Sequence, residues 1–300
     1  MDSPFRPELV ITQPDRPRGR GQRSVFSPVK EVASRSGMRI CQPERFNSQE
    51  TWDLLSEIHP DLAVVVAYSA KIGKRALESV PEGWLNLHPS LLPAYRGAAP
   101  LQWALMQGER ETGLTTFFLN EAWDAGPVCF QKQVSILPDE SYGELASRCA
   151  VEGAELVLRS VEAVAHGQAP RIPQDDSRAS FAPLIKPEDS LLDWSQAARD
   201  IHHRARGLTP LPGLFATWQG KRVQIEKTAL PADPCRVPVE AVPGEVVIAG
   251  KPGLRVRTGD EDIEILRIRP ENKSSMSGRD FVNGFRLKAG DRLGGAAPEE

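Results

Sequence analysis

Asp61-Leu62-Ala63-Val64-Val65-Val66-Ala67 is a nearly continuous apolar run. A strand that is apolar on both faces suits the middle of a parallel sheet covered on two sides. The flanking segments agree. Upstream, Glu8-Leu9-Val10-Ile11-Thr12 reads as a short buried strand. Asn47 to Ile58 has helical spacing, with Trp52, Leu55 and Ile58 three apart and Leu54 beside them. Downstream, Gly83-Trp84-Leu85-Asn86-Leu87 reads as a strand, and a helix starts near Pro100 with Leu101, Ala104, Leu105 and Met106. Leu114 to Leu119 is another strand. Ser141-Tyr142-Gly143-Glu144 has the form of a capping box. It opens a long helix whose Leu145, Cys149, Leu156 and Val164 fit one broad face. Strands alternating with helices predict an α/β domain with a Rossmann-like, mostly parallel sheet.

The stretch from Gln168 to Pro187 is polar and interrupted by Pro170, Pro173, Pro183 and Pro187, as a linker is. A short helix, Ser195 to Ala205, follows. The character then changes to short strands: Phe215–Trp218, Arg222–Ile225, Glu245–Ile248, Leu254–Val256 and Asp262–Leu266. Turns such as Gln219-Gly220-Lys221 separate them, which predicts a small β-barrel or sandwich. The expected organisation is a catalytic domain over 1–167, a linker over 168–187 and a small β domain over 188–300.

The whole chain sets further bounds. It has 300 residues, 40% hydrophobic and 26% charged, with a net charge of −3. That size supports a substantial core, and the balance argues against blanket nucleic-acid binding without excluding a local basic patch. Cys41, Cys129, Cys149 and Cys235 lie far apart with no C-x-x-C pair, so a zinc site or redox dithiol is not expected and the thiols read as reduced. No apolar run approaches the roughly 20 residues of a membrane span. The N-terminus lacks a signal peptide's apolar stretch, so the expected location is cytoplasmic.

The chemistry sits in Leu85-Asn86-Leu87-His88-Pro89-Ser90-Leu91-Leu92-Pro93, followed by Tyr95-Arg96-Gly97. Asn86 and His88 are two apart and project from one face of a strand end, where open parallel sheets place ligands. An amide N–H there can donate to a developing oxyanion, and an imidazole can take a proton from an attacking amine. Taken alone, the pair fits a satisfied structural histidine equally well. Trp123-Asp124-Ala125-Gly126-Pro127 follows the next strand. Its aspartate can orient an imidazole or simply bond its own turn.

Taken together, Asn86, His88, Ser90-Leu91-Leu92-Pro93, Arg96-Gly97 and the Asp124-x-Gly126 turn resemble the 10-formyltetrahydrofolate-dependent formyltransferases. The resemblance implies that Asn86, His88 and Asp124 are catalytic. It also implies that Ser90, Leu91, Leu92 and Pro93 line the folate site, with 10-formyltetrahydrofolate as formyl donor and no metal. Thr12-Gln13-Pro14-Asp15-Arg16-Pro17-Arg18-Gly19-Arg20-Gly21, continued by Ser27-Pro28-Val29-Lys30, resembles the loop of the methionyl-tRNA formyltransferases. From Arg16 to Lys30 there are five cations and no acid, a pattern suited to a phosphate backbone. By resemblance the partner is initiator methionyl-tRNA, contacted by Arg16, Arg18, Arg20, Arg23, Lys30 and Lys186, with Arg20 the key arginine, and the protein acts as a monomer. Leu192-Asp193-Trp194, Arg206 to Gly213, Phe281 to Leu287 and Gly290 to Gly294 resemble the family's C-terminal domain. That domain is a barrel of oligonucleotide-binding (OB) type.

Three departures stand out. The family places a β-strand and a Gly-Thr-Pro turn ahead of the segment that starts here at Glu8. The expectation is therefore a start further upstream or, without that strand, a gap in the sheet with unpaired backbone groups. Leu184 stands where the family usually has lysine, leaving Lys186 as the nearest cation. Tyr68-Ser69 stands where the family usually has Tyr-Gly. Two rival functions remain at this point: formyl transfer to a sugar nucleotide or other small amine, and RNA binding without catalysis.

Overall fold

The valine run does form a strand, but among the described residues it lies at the edge of a sheet rather than in its middle. The computed structural model describes residues 4–18, 23–231 and 241–295. In chain order it begins with β1 (Leu9–Ile11), β2 (Arg16–Arg18), β3 (Arg23–Val25), α1 (Pro28–Arg35) and β4 (Arg39–Cys41). Next come α2 (Gln49–Ile58), β5 (Ala63–Val66), α3 (Lys74–Glu78), β6 (Trp84–His88) and α4 (Pro100–Met106). β7 (Glu111–Phe118), β8 (Val128–Ser135) and the long α5 (Tyr142–Ala165) follow. The chain divides into two units of interleaved stretches: 1–94, 114–132 and 152–179 in the first, and 95–113, 133–151 and 180–300 in the second.

In the first unit β1 and β4 pair in parallel as a sheet of their own. A second sheet runs β5-β6-β7-β8. Two sheets thus stand where one was predicted. β5 and β6 are parallel, as β1 and β4 are, while β6 and β7 are antiparallel. Among the described residues β5 pairs only with β6. Val64 and Val66 are 44% and 52% exposed. An apolar run cannot announce whether a neighbour lies on both of its sides, because that depends on chain far away in sequence. Ile11 of β1 and Ala63 and Val65 of β5 nevertheless pack on one apolar cluster with Phe46, Leu55 and Trp84.

Local signals explain the helices. Ser48 caps α2 by accepting from the Thr51 N–H, and His59 closes it in the left-handed conformation at φ 49°. The predicted capping box is present: the Ser141 N–H donates to the Glu144 carboxylate at 2.9 Å, and the Glu144 N–H to the Ser141 hydroxyl at 3.4 Å. Leu85 packs with Val164 of α5, and Gly153 of α5 lies against Leu87. Trp84 points to the opposite face, with its indole N–H on the Ala76 carbonyl at 2.8 Å. By the alternation of a strand, Asn86 and His88 continue the Trp84 face.

The second unit continues with α6 (Ala198–Leu208), β9 (Leu214–Trp218), β10 (Lys221–Ala229), β11 (Val246–Gly250), β12 (Gly253–Arg257) and β13 (Asp262–Pro270). β14 (Met276–Ser277), α7 (Gly278–Phe285) and β15 (Gly294–Gly295) complete it. The strands form an antiparallel sheet in the order β11-β12-β13-β10-β9-β15, with β14 beside β13. Ile201, Leu208, Leu214, Ile225, Leu254, Ile263 and Phe281 form its dry core. The start of α6 is capped from a distance, by the Asp260 carboxylate accepting from the Ala198 N–H at 2.8 Å. The proline-rich segment is bound rather than loose: Ile172 bridges Val128, and Phe181 bridges Arg96. Cys41, Cys129 and Cys149 are free thiols, and Cys235 lies outside the described residues. No described helix is long and apolar enough to cross a membrane.

Candidate active site

β6 ends on Asn86-Leu87-His88, which holds two of the residues singled out in the sequence. Its register sets Asn86 between Val65 of β5 and Phe117 of β7, and His88 opposite Thr115. The His88 ring meets Phe117 edge-on, with centroids 6.4 Å apart. His88 is only 4% exposed, while Asn86 is partly open.

Asp124 reaches this point by an indirect route. β7 is antiparallel to β6, so its last residue, Phe118, lies beside Leu85 rather than beside His88. The connection to β8 therefore has to double back. Gly126 permits this: a Cβ there would stand 1.8 Å from the Phe118 carbonyl oxygen. Asp124 itself adopts φ 48°, a left-handed conformation unusual for a residue with a side chain. The Gln174 amide pins the turn by donating to the Asp124 carbonyl at 2.9 Å and the Gly126 carbonyl at 2.8 Å. The result sets an Asp124 carboxylate oxygen 3.7 Å from His88 Nδ1, with both side chains mostly buried. At that separation, in a poorly solvated setting, a carboxylate is able to orient an imidazole and to stabilise positive charge on it.

The loop beyond His88 is held with equal care. The Thr115 hydroxyl donates to the Ser90 carbonyl at 2.6 Å and accepts from the Leu92 N–H at 3.2 Å. The Gln131 amide donates to the Leu92 carbonyl at 2.8 Å and to the Thr115 hydroxyl at 3.0 Å. The Ser90 hydroxyl donates to the Ala94 carbonyl, and the Leu92–Pro93 bond is cis. Ser90 and Leu92 are buried, which leaves Leu91 and Pro93 as the partly accessible side chains of the run. Leu119 to Ala122, leading into the Asp124 turn, wall an open depression of about 490 Å³ with Lys74, Leu77 and Glu78; His88 is not among its lining residues. Among the described residues no cluster of His, Cys, Asp or Glu is arranged to hold a metal.

An amide, an imidazole and a carboxylate near one strand end are groups that acyl transfer can use, and the chain matches known formyltransferases. Residues 6–161 match the family model described as formyl transferase, and residues 184–286 match its C-terminal domain. The chain belongs to the formyl transferase family. Similar curated relatives include the methionyl-tRNA formyltransferases of Geobacter metallireducens, 39% identical over 95% of this chain and 90% of that one, and of Syntrophus aciditrophicus, 40% identical with the same coverage. HypX from Aquifex aeolicus, solved in complex with tetrahydrofolic acid, shares the fold. Its TM-score is 0.60 at 22% identity, over 85% of this chain and 44% of that one.

In this formyl transferase the other expected contacts are spread along the chain. Arg16 and Arg18 lie on β2 and Arg23 on β3, the paired strands of a hairpin, while Arg20 lies outside the described residues. Lys186 is exposed in the second unit, ahead of a single helical turn at Pro187–Ser190. Lys30 is engaged within the fold: its ammonium sits on the Asp15 carboxylate and on the Gln42 amide oxygen, and its side chain is 17% exposed. Thr115, Gln131 and Gln174 went unnoticed in the sequence because nothing in local spacing marks a residue whose partners are distant in the chain.

Proposed function

We propose that this formyl transferase moves the formyl group of 10-formyltetrahydrofolate onto the amino group of methionine carried by initiator methionyl-tRNA. The observation that carries the reading is the Asp124 carboxylate 3.7 Å from His88 Nδ1, with Asn86 two residues before His88 on β6. It occurs in a chain matching methionyl-tRNA formyltransferases over nearly its whole length. The methionyl amine attacks the formyl carbon, and His88 removes the amine proton. Asp124 orients the imidazole and stabilises the charge it takes up. Asn86 and protonated His88 donate to the oxyanion of the tetrahedral intermediate. Collapse expels the folate nitrogen, which takes its proton from His88. The substrate amine is itself the nucleophile, so no enzyme-bound acyl group forms.

Leu91, Pro93 and the backbone of Ser90 and Leu92 line the folate site in this reading. Arg16, Arg18, Arg20, Arg23 and Lys186 are the cations that tRNA phosphates engage in this reading. Residues 1–167 carry catalysis, 168–187 connect, and 188–300 act as an OB-type RNA-binding barrel. The enzyme works as a monomer in the cytoplasm, where charged tRNA and reduced folate are both present.

The test is formyl transfer from 10-formyltetrahydrofolate to methionyl-tRNA, with Asn86→Ala and His88→Ala beside the parent. Removal of one oxyanion donor costs roughly 10²–10³ in turnover, so Asn86→Ala should lose at least that much. Parental turnover by either variant would overturn the assignment of roles. Transfer insensitive to salt would favour a small amine over tRNA as acceptor, since phosphate contacts weaken steeply with salt.

A further inference from the structure

The arginine-bearing hairpin rises from a base made of ordinary polar side chains. Its strands pair Arg16 with Val25, Pro17 with Ser24 and Arg18 with Arg23. Two strands of three residues are too short to hold their place unaided, since even longer isolated hairpins are marginal in water. The base supplies the anchorage. On one side, the Gln13 amide donates to the Ser69 hydroxyl in the turn after β5. On the other, the Lys30 ammonium, in the first turn of α1, reaches across to Asp15. Gln42, just after β4, joins the two sides: its amide oxygen accepts from Lys30 at 2.6 Å, and its amide N–H donates to the Gln13 carbonyl at 2.6 Å and to Asp15 at 2.9 Å. A further rung links the Thr12 and Ser27 hydroxyls at 3.0 Å, and Ser27 also caps α1 by accepting from the Lys30 N–H at 3.1 Å.

We propose that Lys30, Asp15, Gln42, Gln13 and Ser69 form a positioning clamp that fixes the base of this hairpin for its RNA partner, and that Lys30 acts through the clamp rather than by touching a phosphate. The proposal rests on the tRNA reading above and deepens it. Three features carry it. The Lys30 and Asp15 side chains are only 17% and 21% exposed and face each other, so their charges cancel locally instead of attracting an anion. The bonds join positions 15, 27, 29 and 56 residues apart, tying the hairpin to three separate elements. The Asp15 carboxyl is also held below its ordinary range by its bonds from Lys30 and Gln42, so it stays ionised and the pair stays formed. Ser69 has a part that the glycine usual in the family at that position has no hydroxyl to play.

Opposite signs separate the clamp from a phosphate contact. The Kd of the full chain for methionyl-tRNA is measured across a salt series for the parent, Asp15→Asn, Lys30→Met and the double variant. The clamp requires Asp15→Asn to weaken binding, by about tenfold for a hydrogen-bonded charge removed, although the change deletes a negative charge near the RNA. It requires Lys30→Met to weaken binding to a similar extent with its salt slope unchanged. The double variant should be no worse than the worse single variant, as for residues acting as one unit. A direct phosphate contact requires the reverse: Asp15→Asn binds as tightly as the parent or tighter, and Lys30→Met lowers the salt slope by about one. Either of those results overturns the clamp. A parent that binds no tRNA at any salt would sink the RNA reading and not the clamp. Trypsin cleavage between Arg16 and Arg23 reads the clamp without RNA. Cleavage several times faster in Asp15→Asn and Ser69→Ala than in the parent supports it, and parental rates in both overturn it.

Discussion

Replacing Gly126 by alanine tests how the site is assembled, because the obstacle is a single identified contact. The added Cβ would lie 1.8 Å from the Phe118 carbonyl oxygen, 3.0 Å from the carbonyl carbon and 3.4 Å from the Asn120 nitrogen. Carbon–oxygen contacts settle at about 3.3 Å or more, so the turn and the end of β7 must part by about 1.5 Å. Both are backbone, so no flexible side-chain tip can yield. Overpacking of this kind costs about 1–3 kcal/mol in stability. The functional loss should be larger than the stability loss suggests. Asp124 is two residues away, and its alignment on His88 depends on the same turn. A misplacement of about 1 Å at a reacting centre costs on the order of 10²-fold in rate. The expected result is a folded protein with kcat for formyl transfer down about 100-fold and a modestly lower urea midpoint. Gly284→Ala in α7 is the control: nothing lies within 4 Å of its added Cβ, and an alanine in an open helical position should be neutral or stabilising by up to about 1 kcal/mol. If Gly126→Ala kept kcat within threefold of the parent, the argument that this glycine delivers Asp124 to His88 would be wrong.

Other perturbations probe the supports of the site and the second unit. Thr115→Val keeps shape but strips the hydroxyl from the Ser90 carbonyl and the Leu92 N–H. It should cost about 1–3 kcal/mol for the unsatisfied groups, and steady-state kinetics should show a higher KM for the folate. Gln174→Leu removes both bonds that pin the Asp124 turn; kcat should fall about tenfold with the KM for folate little changed, and a parental kcat would deny Gln174 its positioning role. Burial, then the Arg206 guanidinium, pushes His203 down from 6.5 to about 4. The unfolded chain therefore takes up a proton below 6.5 that the folded chain refuses, so stability present at neutral pH is lost as pH falls from 6.5 towards 4. Urea unfolding at pH 7 and pH 5 should show that loss shrinking in His203→Gln by no more than about 2 kcal/mol; identical losses in parent and variant would remove His203 from the acid response.

What the sequence disclosed and what it hid divide along one physical line. Signals that act within a few residues were legible. The spacing of Trp52, Leu55 and Ile58 marks α2, and Ser141 with Glu144 marks the start of α5. The strands from Leu214 to Pro270 stand close to where their alternation put them. Asn86 and His88 share a face because a strand alternates whatever surrounds it. Features decided by distant chain were hidden. β8 carries Gln131, Lys132 and Gln133 in succession, a polar run that drew no strand reading. Gln131 nevertheless lies in a strand paired with β7, and its side-chain amide meets a carbonyl 39 residues away. Gln174 sits among prolines that suggest a linker, yet its partners lie 50 and 48 residues back.

The same division explains how Asp124 comes to face His88. Spacing placed Asp124 at a strand end but could not tell that β7 runs antiparallel to β6, which by itself would carry the aspartate away from His88. The ordered motif supplied the pairing without its cause. The cause is a turn in which a left-handed aspartate, a glycine pressed on a carbonyl and a remote glutamine each supply something the others lack. Left-handed backbone at a residue with a side chain persists only where its surroundings over-determine it. The strain at Asp124 therefore has its counterpart in Gln174 and Gly126. Relieving it by substituting either support should release the carboxylate from His88 before it unfolds the domain.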